Sequence, residues 1–264
     1  MENKKIRNVA QIGYCYGSEW YLMRYMARHR KYLESLLDKK LGSLGGFDWL
    51  DFEYDETNQI LTGDKELSGL GWLKQCVVDS KYKSANLHYY KYGINNPDEW
   101  QFWDAVFVRN DVVYLVEAKS YAEEFESNRE HGGRSRNAIF KLMQDELRPY
   151  GVEVNEKWLG KYYQFANRLA TAAMLNNQGV KTKVLYICFV NANNSRIVDR
   201  DGNRISDEEP IGKTKCSSYD GFDMVLQKEL DYLGITKEQV ADIYAGAIYV
   251  DVQRNGNDVY ISHI

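Results

Sequence analysis

Two apolar runs near the middle of the chain, Gln101 to Val108 and Val112 to Lys119, predict a pair of β-strands. Asn110-Asp111 joins them, and both residue types tolerate the left-handed backbone that a tight hairpin needs. One face carries Phe102, Val106, Val108, Val113 and Leu115. The other carries Trp103, Ala105, Phe107, Tyr114, Val116 and Ala118. Apolar residues on both faces predict a central hairpin covered from both sides. Upstream, Leu22, Met26, His29, Leu33 and Leu36 recur at spacings of four and three, which predicts one helix from Ser18, its N-cap, to about Asp38. Between Lys40 and Asn96, Phe47 to Tyr54 and Leu73 to Val78 are candidate strands. Downstream, one helix is expected from Asn137 to Tyr150, ended by Gly151. Another, capped by Asn155, should run from Glu156 to Asn177 and close at Gly179. Lys183 to Val190 reads as a buried strand. After the polar stretch Asn191 to Tyr219 come two helices, about 221–233 and 237–244, the second with a capping box of Thr236 and Gln239. A terminal hairpin is expected from Ala247 to Gln253 and Asp258 to His263, around Asn255-Gly256.

Strands and helices alternate, but two hairpins interrupt them. The expected fold class is therefore α/β, with a mixed central β-sheet flanked by helices. The 264 residues include only three prolines and no low-complexity linker, so a single domain spanning 1–264 is the simplest organisation. No run of eighteen apolar residues suggests a membrane span, and Met1 to Gln11 lacks the apolar centre of a signal peptide. Cys15, Cys76, Cys188 and Cys216 show no metal-ligand spacing and read as reduced thiols of a cytoplasmic protein. A net charge of -4 and a pI near 5.7 argue against a basic nucleic-acid coat protein. They leave open an enzyme whose carboxylates hold a metal. The 21 tyrosines and six tryptophans read first as core, and second as base-stacking platforms.

Candidate chemistry enters through the hairpin. With the turn centred between Asn110 and Asp111, the numbers of paired residues sum to 221, and Asp104 lies directly opposite Glu117. This is a close, non-hydrogen-bonded pair, with β-carbons roughly 5 Å apart. Lys119 points to the same face as Glu117. Two facing carboxylates in an apolar setting are unfavourable unless positive charge sits between them. The arrangement is either a salt-bridged strand end or a site for a divalent cation. Asp79-Ser80-Lys81 and Asp38-Lys39-Lys40 carry the same residue types, but no hairpin places an acid opposite them.

Asp104 with Glu117-Ala118-Lys119 resembles the motif of the PD-(D/E)xK phosphodiesterase superfamily, the restriction-endonuclease-like nucleases. The resemblance implies an α/β/α core over about 14–190; residues 191–264 are assigned by position only, as a C-terminal elaboration of edge strands and covering helices. It implies a nuclease that hydrolyses phosphodiester bonds of nucleic acid, DNA foremost, with Mg2+ or Mn2+ as cofactor. Asp104, Glu117 and the Ala118 carbonyl would hold the metal. Lys119 would orient the attacking water and stabilise the transition state. Glu19, on the first helix, would complete the metal shell or bind a second ion; otherwise it is an ordinary first-turn glutamate. Gln164 matches a polar position on the helix after the motif. Lys161, Gln164 and Arg168 share a predicted helix face, from which Gln164 or Arg168 would hold a flanking phosphate. Trp103 stands where many members have proline, and the literal Pro97-Asp98 lies earlier.

Basic residues for nucleic-acid contact are expected around Gly132-Gly133, namely Arg129, His131, Arg134 and Arg136. Arg196, Arg200, Arg204, Lys213 and Lys215 form a later group. Many relatives act as dimers, so a homodimer is among the expectations. Two other classes stay open: a catalytically silent nucleic-acid-binding or assembly module, and a metal-dependent enzyme acting on another substrate.

Overall fold

The computed structural model describes residues 17–42, 45–55, 57–58, 60–64, 67–76, 83, 85, 88, 90–93, 101–127, 134–192, 219–255 and 258–261. Its strands are β1 (Asp48–Trp49), β2 (Phe52–Asp55), β3 (Ile60–Asp64), β4 (Leu67–Ser68), β5 (Phe102–Trp103), β6 (Ala105–Arg109), β7 (Val112–Lys119), β8 (Thr182–Val190), β9 (Tyr244–Asn255) and β10 (Asp258–Ile261). Its α-helices are α1 (Ser18–Arg28), α2 (Arg30–Leu41), α3 (Arg134–Leu147), α4 (Tyr163–Asn177) and α5 (Tyr219–Leu233). One six-stranded sheet has the order β1-β6-β7-β8-β9-β10. β7, β8 and β9 run parallel, and the other neighbours in this sheet are antiparallel. The mixed α/β architecture is therefore the expected one. Among the described residues no helix is long and apolar enough to cross a membrane.

The sheet separates two apolar layers. Tyr21, Leu22, Tyr25, Met26, Leu33 and Leu37 of α1 and α2 pack on Phe107, Val116, Ala118, Ile187 and Val250. On the opposite face α3, α4 and α5 cover Val106, Val113, Leu115, Tyr186 and Cys188. The parity of β7 therefore sends Val113, Leu115, Glu117 and Lys119 toward α4. Asn110 (φ 49) and Asp111 (φ 59) make the left-handed turn between β6 and β7. Gly151 (φ 68) and Gly179 (φ 77) also adopt the left-handed backbone at the expected helix ends.

Several boundaries differ from the sequence pattern. The first helix is two, broken at His29 (φ -136), whose N–H still bonds to the Tyr25 carbonyl at 2.8 Å. The break lets each half bury its own apolar stripe. The candidate strand from Phe47 to Tyr54 divides at Leu50-Asp51, and Asp51 is buried there. Gly71–Gln75 is a 3-10 turn that buries Trp72 and Leu73, while Val77 and Val78 lie outside the described residues. Glu156–Leu159 is likewise a 3-10 turn, capped by Asn155, and α4 starts only at Tyr163. The cause is tertiary: the backbone there bridges to Ser127, with Ser127 N–H on the Lys161 carbonyl (2.7 Å) and Tyr163 N–H on the Ser127 carbonyl (3.1 Å).

Thr236 and Gln239 form their reciprocal capping bonds, at 2.9 and 3.3 Å, yet only turns follow. The chain joins the sheet at Tyr244, where it pairs with Val184. β9 lies inside the sheet between β8 and β10, so the segment after 190 supplies an interior strand as well as covering elements. The terminal hairpin pairs β9 with β10, although Asn255, expected in the turn, is the last residue of β9 and pairs with Asp258. Cys76 is a free thiol, Cys188 is buried in β8, and Cys15 and Cys216 lie outside the described residues.

Candidate active site

β6 and β7 pair in the expected register, from Arg109 with Val112 to Ala105 with Val116. The ladder ends there. Asp104 is a bend, and Phe102-Trp103 turn away to pair with Ser68 and Leu67 of β4. Asp104 is therefore not the ladder partner of Glu117. In a continued ladder the Ala118 N–H would bond to the Trp103 carbonyl. Instead the Asp104 carboxylate accepts it through Oδ2 at 2.8 Å. This local replacement brings the carboxyl to the end of β7 beside Glu117. The bend also changes the parity of the preceding residues. Trp103, expected on the Ala105 face, packs in the α4-side core.

Glu117 is 2 % exposed, and each of its oxygens has a cationic partner. Lys119 Nζ donates to Oε1 at 2.7 Å, and Arg168 Nε donates to Oε2 at 3.0 Å. Lys119 Nζ also donates to Gln164 Oε1 at 3.0 Å. Gln164 is positioned at the start of α4, where its own N–H bonds to Ser127 Oγ at 2.8 Å. Glu117, Lys119 and Gln164 are thus brought together, with Asp104 adjoining them.

The charges decide how these groups ionise. Burial, and then the charge of Glu117, push the Asp104 carboxyl well above its ordinary range. Burial also opposes ionisation of Glu117, but the Lys119 and Arg168 charges outweigh it and hold this carboxyl low. For Lys119, burial favours the neutral amine; Glu117, Asp104 and Glu124 overcome it and keep the ammonium. The site therefore has one well-compensated carboxylate and one poorly compensated carboxyl.

Glu19 is exposed in the first turn of α1, and its charge acts on Asp104. Lys161 lies off the helix and pairs with Glu126 at 2.7 Å, so it does not share a helical face with Gln164 and Arg168. Arg168, expected to face a phosphate, is buried at 7 % exposure and bonded to protein groups throughout. α4 is buried on all sides from Phe165 to Leu175, so no solvated face exists there. Arg136 pairs with Glu156 at 2.8 Å on the surface. The side chain of Arg134, like Arg129, His131 and the basic group from Arg196 to Lys215, lies outside the described residues.

Two further acids adjoin the site. Glu124, after β7, accepts from Ser18 Oγ at 3.1 Å and from the Ser120 N–H and hydroxyl. Glu229 of α5 is fully buried, with both oxygens 3.2 Å from the Tyr186 hydroxyl. Burial pushes its carboxyl well above the ordinary range. Tyr186 is the β8 neighbour of Glu117. Glu229 left a signal in the sequence: it interrupts the apolar stripe Phe222, Leu226, Leu230 and Leu233.

Oxygen donors of the kind a hard cation takes lie at the end of β7. Asp104, Glu117 and the Ala118 main-chain carbonyl offer the hard oxygen ligands that Mg2+ or Mn2+ takes. The poorly compensated Asp104 is the kind of carboxyl that a cation stabilises. No group of three or more His, Cys, Asp or Glu placed to hold a metal occurs among the described residues. No protein-family model, curated protein or solved structure matches the chain.

Proposed function

We propose that this chain is a metal-dependent nuclease that hydrolyses phosphodiester bonds of DNA. One observation carries the reading: Asp104, bonded to the Ala118 N–H, adjoins a Glu117 that is ion-paired to Lys119. This residue set resembles the PD-(D/E)xK motif, and it lies on a mixed sheet flanked by helices.

Asp104, Glu117 and the Ala118 carbonyl would hold Mg2+ or Mn2+, with Glu19 at the rim as a further carboxylate. When bound, the cation supplies Lewis acidity and a water of lowered pKa. Lys119 is held as an ammonium, so it acts by charge and hydrogen bonding rather than as a base. It would donate to the phosphate or the attacking water, and Gln164 Oε1 fixes its direction by accepting one of its hydrogen bonds. A homodimer with two such sites would cut both strands of a duplex.

The test is hydrolysis of labelled single-stranded, duplex and branched DNA, and of RNA, with Mg2+ or Mn2+. Cleavage by the wild type that is lost in Lys119→Ala is expected. A wild type that cleaves none of these substrates overturns the enzyme reading.

A second reading, a silent nucleic-acid-binding or assembly module, is favoured by the double cationic pairing of Glu117. DNA binding with neither cleavage nor Mn2+ uptake would select it.

A further inference from the structure

Arg168 is placed between the two halves of the candidate site. Its Nε bonds to Glu117 Oε2 at 3.0 Å, on β7. Its other nitrogens hold the segment just before Asp104: one donates to Gln101 Oε1 at 2.9 Å and the other to the Phe102 carbonyl at 2.6 Å. The guanidinium also lies over the Trp103 ring, 4.6 Å from its centre. Gln101 is anchored in turn, donating to Thr171 Oγ1 at 2.7 Å, one turn along α4 from Arg168. The ladder ends at Ala105 and the Asp104 carboxyl reaches β7 through the Ala118 N–H, but no β6–β7 backbone pairing fixes residues 101–103, which carry Asp104, relative to Glu117. Arg168 bridges that gap.

We propose that Arg168 is a positioning residue that sets the separation of the Asp104 and Glu117 carboxylates, and thereby the affinity of the site for a divalent cation. The proposal rests on the metal-dependent reading of this site. The requirement is geometric as well as electrostatic. A planar fork sends three donors in fixed, divergent directions and stacks on an indole; an ammonium on a flexible stem does neither. Lysine at this position retains the charge beside Glu117 but cannot span both anchors. The guanidinium also competes with a metal for Glu117 Oε2, so the bound cation must share that carboxylate. Removing the fork therefore has opposing consequences: a freer Glu117, and an Asp104 segment without its clamp. The clamp dominates, because two carboxylates that are not held in one geometry bind a cation weakly.

The experiment is a Mn2+ titration followed by electron paramagnetic resonance, on wild type, Arg168→Lys and Gln101→Ala, each first shown folded by circular dichroism and thermal melting. Gln101→Ala cuts one anchor and leaves the Arg168–Glu117 ion pair intact. The expected result is Mn2+ binding by wild type, at least tenfold weaker in Arg168→Lys and severalfold weaker in Gln101→Ala. Folded variants that bind Mn2+ with wild-type affinity overturn the positioning role and leave the metal reading standing. A wild type that binds no Mn2+ overturns the metal reading, and the positioning role with it.

Discussion

Asp104 Oδ2 accepts a hydrogen bond from the Ala118 N–H at 2.8 Å, in place of the main-chain carbonyl that would continue the β6–β7 ladder. A side chain thus closes the end of the ladder, and a carboxyl that burial disfavours is stationed beside Glu117.

This dual role separates two substitutions. Asn at 104 still offers an oxygen to the Ala118 N–H and removes a disfavoured charge. Asp104→Asn should therefore be at least as stable as wild type in urea denaturation. Asp104→Ala leaves the Ala118 N–H unpaired and should lose about 1–3 kcal/mol. Both should abolish metal-dependent cleavage, since neither retains the carboxylate.

Lys119 is 4 % exposed and neutralises a Glu117 that is 2 % exposed. Lys119→Met leaves part of that charge uncompensated, with Arg168 alone beside it. The expected cost is about 3–5 kcal/mol by chemical denaturation. Adding Glu117→Gln should recover a substantial part. If the double variant loses the sum of the two single effects, the pair is not coupled as the 2.7 Å contact requires.

Asp51 gives a pH signature remote from catalysis. It is 2 % exposed, Oδ1 has no hydrogen-bond partner, and burial pushes the carboxyl up to about 8. In the unfolded chain an aspartate titrates near 4. Below that value both states are protonated. Between about pH 4 and pH 8 only the folded state keeps the proton, so stability falls as pH rises, by up to about 1.4 kcal/mol per unit. Above about pH 8 both states are ionised and the penalty is constant. Asp51→Asn should remove this component. The check is the wild-type-minus-variant difference in unfolding free energy across that range, and a flat difference excludes the buried proton.

Ser127 ties the loop after β7 to the start of α4, with its Oγ accepting the Gln164 N–H at 2.8 Å. Ser127→Ala should cost about 0.5–2 kcal/mol, the usual range for a lost helix cap. It should also lower cleavage by loosening Gln164 against Lys119. Unchanged stability together with unchanged cleavage would show that the main-chain bridge suffices to seat the helix.

Much of the layout was legible because it depends on short-range pattern. Asn110-Asp111 set the turn, and the turn set the register that brings Ala105 to Val116. Period-two parity put Glu117 and Lys119 on one face. What the pattern could not carry was competition among distant segments. Phe102-Trp103 read as a continuation of β6, but β4 takes them, and the predicted Asp104–Glu117 ladder pair becomes a side-chain-to-backbone contact. Lys161 read as helical until Ser127 claimed its carbonyl. Arg168 read as a phosphate contact on a polar helix face, but a helix buried on every side has no such face.

By itself the sequence determined the mixed α/β class, the central hairpin with its turn and register, and the placing of Glu117 and Lys119 on one face. These follow from backbone periodicity and the conformational preferences of a few residues. The tertiary structure alone decided where the hairpin breaks, which charges share Glu117, and that Arg168 faces inward onto the segment before Asp104. The physical reason is that hydrophobic periodicity records which side of an element leaves water. It does not record which distant donor reaches a given acceptor, and in a buried site that pairing sets both the charge and the chemistry.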